Sequence, residues 1–122
     1  MKKTIFIAGQ LRQEKELSAA LESHHLRVVV LDTSKKLEKQ VNESLFPHLT
    51  ILAVTGDPAA DTPLITLTEM YPEERKGNIV FIFNSWPEDV KDRLFYLSYS
   101  KVYFEQLIVV EEVVQKVLEM LA

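Results

Sequence analysis

Six polar residues stand directly after apolar runs: Gln10 after Thr4–Ala8, Asp32 after residues 26–31, Thr55 and Asp57 after Leu49–Val54, and Asn84 and Ser85 after residues 78–83. Two carboxylates, two hydroxyls and two amides are the side chains a small polar ligand needs. Domains with alternating strands and helices bind such ligands outside the carboxyl ends of their strands. Strand ends of this kind are commonly polar without holding anything, so the set is a candidate ligand or cofactor site and no more. The histidines offer less. His24 and His25 are adjacent on a predicted turn, so their rings point apart, and His48 stands alone before a strand; neither arrangement supplies a metal's ligand set. The chain has no cysteine, which excludes disulfides and thiolate metal sites.

The elements that would position the six residues follow from the spacing of apolar side chains. Leu49–Val54 is nearly all apolar between Pro47 and Gly56-Asp57-Pro58, which predicts a strand buried on both faces. Thr4–Ala8, residues 26–31 and residues 78–83 read likewise. Leu11, Leu17, Ala20 and Leu21 are spaced for a helix after the first strand. Thr33 or Ser34 can cap a second helix carrying Leu37, Val41 and Leu45. Asp61 or Thr62 is expected to cap a third, with Pro63 in its first turn and Leu64, Leu67, Thr68 and Tyr71 facing inward. Residues 72–77 read as a loop, and Pro87-Glu88-Asp89 opens a helix running through Leu94 and Leu97. Residues 101–110 are ambiguous between strand and helix. A short strand at 102–104 and a helix at 111–121 are favoured. The sum is one α/β domain over residues 1–122, a five-stranded parallel sheet in a three-layer α/β/α arrangement.

Composition narrows the function. The 122 residues carry a net charge of −4 and no basic tract, so a nucleic-acid surface is not expected. Met1-Lys2-Lys3 looks like the start of a signal segment, but the apolar run after it ends by Gln10, too short for a leader or a membrane span. A cytoplasmic protein with no membrane contact is the expectation.

Five strand–helix units filling the chain resemble the receiver domain of bacterial response regulators, a flavodoxin-like fold. Tyr103-Phe104-Glu105-Gln106-Leu107-Ile108 resembles the receiver segment around the fifth strand, and residues 111–121 resemble its last helix. The resemblance implies an aspartate that takes a phosphoryl group, two acidic residues for Mg²⁺, a hydroxyl and a lysine. At those positions stand Ala53, Gly9 and Gln10, Asn84 and Gln106. Ala53 is no nucleophile, and Gly9 and Gln10 give a hard cation no carboxylate. Without the metal, little stabilises a transferring phosphoryl group. The expectation is a pseudo-receiver without catalytic residues, metal or cofactor, more a binder than an enzyme; Asp57 is the alternative acceptor if the register slips by four residues.

A second resemblance is to a shortened short-chain dehydrogenase, a Rossmann-like protein. Asp32 matches the ribose-binding acid and Lys101 the catalytic lysine. The tyrosine position holds Leu97, with Tyr96 one residue away, and the phosphate-loop glycines after Gly9 are missing. Side chains there would block the close approach of a pyrophosphate. At most this implies a weak nucleotide binder.

Phe95, Tyr96, Tyr99, Tyr103 and Phe104 form the densest aromatic group, and Ile108, Val109 and Val110 follow it. Consecutive residues of a helix or strand cannot all point to one core. Receivers commonly dimerise or dock partners through the face of the fourth helix, fifth strand and fifth helix. The resemblance therefore implies a protein partner or a homodimer, with Phe95, Tyr96, Tyr99, Tyr103, Ile108 and Val109 as candidate contacts; an ordinary core is the alternative.

Overall fold

The central strand sets the frame. In the computed structural model, which describes residues 2–76, 78–100, 102–105 and 107–122, all six residues of Leu49–Val54 are buried. In chain order the elements are β1 (Thr4–Ala8), α1 (Glu14–Glu22), β2 (Arg27–Leu31), α2 (Ser34–Asn42), β3 (Leu49–Val54) and α3 (Pro58–Thr68). There follow α4 (Glu73–Lys76), β4 (Ile79–Phe83), α5 (Val90–Leu97), β5 (Val102–Glu105) and α6 (Val110–Leu121). The strands form one sheet in the order β2-β1-β3-β4-β5, every neighbouring pair parallel.

Alternation along the strands divides the core in two. Ile5, Ile7, Leu49, Ile51, Val80 and Ile82 meet Leu17 and Leu21 of α1 and Val113 and Val117 of α6. Phe6, Leu52, Val54, Phe81 and Phe83 meet Leu37 and Val41 of α2, Ile65 of α3 and Tyr96 of α5. Each such Leu, Ile or Val contributes about 2 kcal/mol through the apolar surface it removes from water. The helices α5 and α6 thus lie on opposite faces and flank the edge strand β5.

Several sequence expectations need correction. The third helix starts at Pro58, capped by Asp57, whose side chain accepts a hydrogen bond from the Ala59 N–H at 3.0 Å. Asp61 and Thr62 are therefore inside it, and Pro63 sits in its body rather than its first turn. Asp61, Ile65 and Thr68 are its buried residues, so Thr68, like Tyr71 beyond the helix, faces inward as expected while Leu64 and Leu67 are not buried. The predicted stripe of the second helix is cut short: α2 ends at Asn42, Ser44 adopts φ 57° and Leu45 is 51% exposed. The loop at 72–77 contains the short helix α4. A fifth strand does pair with β4, so residues 98–121 are not one helix. The order 2-1-3-4-5 is the flavodoxin-like one, not the 3-2-1-4-5-6 order of dinucleotide-binding Rossmann sheets, and the dehydrogenase resemblance finds no support.

Candidate functional site

At the carboxyl ends of β1, β3 and β4 the loops are pressed against one another. Gly9 has φ +87°, and a Cβ there would lie 2.4 Å from the carbonyl oxygen of Ala53. Gly56 has φ +90°, and its Cβ would lie 2.3 Å from the carbonyl oxygen of Ser85. Both positions demand glycine, for the left-handed backbone and for the close approach. Ala53 itself is buried. The place where a receiver gathers its acids is thus filled by backbone: a carboxylate side chain on Gly9 has no room unless the chain moves.

Among the depressions lined by described residues, the six polar candidates are not gathered into one. Thr55, Asp57 and Ser85 line one open depression of about 400 Å³, together with Trp86 and Asp89. Gln10 and Asn84 line another of about 360 Å³, beside Leu11 and Arg12, where the Asn84 amide donates to the Gln10 carbonyl at 3.4 Å. Asp32 lines neither. It pairs with Lys36 at 2.8 Å on the surface, and that contact lowers its pKa. Thr55 and Asp57 are occupied locally: the Asp57 N–H donates to Thr55 Oγ1 at 3.1 Å while the Asp57 carboxylate caps α3.

The residue that organises this end is Asp61, which the sequence offers as a helix cap. Asp61 is 2% exposed. Its Oδ1 accepts from the Thr55 N–H at 2.9 Å and the Thr55 hydroxyl at 3.0 Å, and its Oδ2 accepts from the Gly56 N–H at 3.0 Å and from the Tyr96 hydroxyl. One buried carboxylate therefore fixes the β3–α3 turn and ties it to α5. Burial first, and the Asp61 carboxylate second, push the Tyr96 phenol far above its ordinary pKa. A second long tie joins the first loop to the last. The Gln13 amide donates to the Ile108 carbonyl and accepts from the Ile108 N–H, each at 3.0 Å.

The aromatic group also sorts differently from expectation. Tyr96 is fully buried, with its ring edge-on to Phe81 and Phe83, and Ile108 is buried too. Neither can touch a partner. Phe95 and Tyr99 are half-buried, and Tyr103 and Val109 are exposed. Joining them on α5 are Val90, Leu94 and Leu97, respectively 62%, 63% and 38% exposed. Their spacing of four and three residues puts them on one side of α5. Helix α5 thus turns an aliphatic stripe outward and buries its tyrosine, because the phenol has a carboxylate to meet inside. Trp86 stacks on Tyr103 with ring centroids 4.6 Å apart, and the Arg93 guanidinium lies 5.7 Å from the centre of the Trp86 ring. Gln106, at the receiver lysine position, and Lys101, matched to the dehydrogenase lysine, lie outside the described residues.

Among the described residues no group of His, Cys, Asp or Glu is placed to hold a metal ion, and no helix is long and apolar enough to cross a membrane.

The sheet order and the position of the strand ends define a receiver-like, flavodoxin-like fold. No family model and no curated protein matches the sequence. Solved structures do. The pilus assembly protein CpaE from Caulobacter crescentus is similar with a TM-score of 0.71 and 13% identity, over 98% of this chain and 99% of that one. The N-terminal domain of a response regulator/sensory box/GGDEF protein from Carboxydothermus hydrogenoformans gives 0.70 and 16%, over 98% and 94%. A CheY-like response regulator from Mesorhizobium loti gives 0.69 and 11%, over 98% and 99%. At these identities the likeness is one of fold.

Proposed function

We propose that this chain is a receiver-like domain that takes no phosphoryl group and works by protein–protein contact. The observation that carries the reading is the Gly9–Ala53 contact. The acceptor position holds a methyl group, and the neighbouring acid position is a glycine whose backbone lies against it. A receiver switches by charge at this point; here there is neither the nucleophile nor the space for the metal's ligands.

Contact is assigned to the face of α5, β5 and the start of α6, through Leu94, Leu97, Tyr99, Tyr103 and Val109, with Phe95 beneath. Exposed apolar residues gathered on one edge are the mark of a docking surface. Charged residues rim it: Glu88, Asp89 and Lys91 at the start of α5 and Glu111 and Glu112 at the start of α6 are exposed. A surface whose apolar residues come from α5, β5 and the start of α6 can meet its own copy across a two-fold axis, and a second copy of this chain is the partner proposed. Incubation with Mg²⁺ and acetyl phosphate followed by intact mass tests the first half: the expected mass is unchanged, and a stable adduct on Asp57 would overturn it. Sedimentation tests the second half: a concentration-dependent dimer is expected, and a monomer at high concentration would count against it.

A further inference from the structure

The opposite, amino end of the sheet carries a cavity that the receiver-like reading does not use. β1 and β2 are in register there, Thr4 beside Arg27 and Phe6 beside Val29. These four side chains share one face, the one on which α2 packs. α2 is too short to cover them. It stops at Asn42, the chain turns through left-handed Ser44, and the segment to Phe46 passes beyond the end of the helix. The space left open is about 250 Å³, lined by Thr4, Phe6, Arg27 and Val29 from the sheet and by Gln40, Ser44, Leu45 and Phe46 from the other side.

The lining has two parts. Phe6, Val29, Leu45 and Phe46 form an apolar wall, and Phe6 is only 2% exposed, so the cavity reaches the core. Thr4, Gln40, Ser44 and Arg27 supply the polar part. Among the described residues no hydrogen bond or ion pair engages these four side chains. Arg27 is the one charged residue of the lining. An apolar wall with a few converging polar groups is the usual make-up of a small-molecule site. A planar guanidinium at its mouth selects a carboxylate over an amine or a neutral head.

We propose that this cavity binds a small amphiphilic carboxylate, its hydrocarbon part on Phe6, Val29 and Phe46 and its carboxylate on Arg27. Hexanoate is a suitable probe, followed by amide chemical shifts of the whole chain. Saturable shifts confined to Thr4, Phe6, Val29 and residues 44–46 are expected. Acetate, lacking the tail, and hexylamine, with the wrong charge, bind more weakly. Arg27→Gln weakens hexanoate about tenfold, the loss of a charge-assisted hydrogen bond. Arg27 is exposed, so the variant keeps its fold, and its amide spectrum checks that. Shifts that scatter over the surface or never saturate would overturn the site. Hexylamine binding as tightly as hexanoate, or an unaffected Arg27→Gln, would overturn the ligand class.

Discussion

The hydroxyl of Tyr96, buried in α5, donates to the carboxylate of Asp61, buried in α3, and the same carboxylate holds the Thr55 and Gly56 N–H groups of the β3–α3 turn. Tyr96→Phe is expected to cost about 1–2 kcal/mol, since Asp61 keeps its backbone partners. Asp61→Ala is expected to cost about 3 kcal/mol, since it orphans several donors at once. Urea unfolding of both single variants and the double variant should give clear non-additivity. The folded-state pKa of Tyr96 is raised, so its contribution is complete below the ordinary tyrosine value of 10.0 and is lost as pH rises above it. Tyr96→Phe should flatten that alkaline decline.

Gly9 and Gly56 each combine a left-handed backbone with a carbonyl oxygen where a Cβ would go. Gly9→Ala or Gly56→Ala should each destabilise by about 2 kcal/mol or more, from strain alone before the clash is counted. The same geometry says that installing acids at Gly9, Gln10 and Ala53 together will not create a phosphorylatable site in a folded protein. Thermal melts and intact mass check the two statements.

His48 takes part at the amino end of β3 in its neutral form, its Nδ1 accepting from the Thr4 N–H at 3.0 Å. Burial, then the nearby Arg75 and Lys3 charges, lower its pKa below the ordinary 6.5. The stability it contributes is therefore complete above that value and is lost as pH falls below it, because the unfolded chain takes the proton more readily. Unfolding measured from neutral to mildly acidic pH should decline more steeply for the natural chain than for His48→Gln.

Leu94 is 63% exposed, so a charge placed there is in water. Leu94→Glu should change stability by no more than about 0.5 kcal/mol. In sedimentation it should abolish the proposed self-association. Leu45→Glu, equally an exposed leucine but beside β1 and β2 at the other end of the same sheet face, should leave association intact.

The strands were readable because burial on both faces writes them as unbroken apolar runs, and β3 and β1 fall where expected. What the sequence hid are choices between equals. Pro58 and Pro63 are both fit to open a helix, and only the packed turn shows that the earlier one does. Asp61 looks like a cap because caps and buried anchors use the same residue; nothing local says that Tyr96 waits to meet it. The aromatic cluster misled for a related reason. A tyrosine next to a phenylalanine suggests surface recognition, but Tyr96 is stabilised inside by a carboxylate from another helix, and the aliphatic stripe beside it faces out. The polar strand-end residues follow β1, β2, β3 and β4 at one end of the sheet, yet among the described residues Thr55, Asp57 and Ser85 line one depression and Gln10 and Asn84 another, a division that no local pattern writes.

The stacked Trp86 and Tyr103 have an optical consequence. The chain has a single tryptophan, so its emission comes from one indole, with Arg93 beside one ring and Tyr103 parallel to it at the edge of the sheet. Anything that settles on Tyr103 must dry or shift that indole. The protein therefore carries its own label: docking at this edge should move or brighten its ultraviolet emission, while a molecule entering the cavity at the far end of β1 should leave the spectrum dark to its presence.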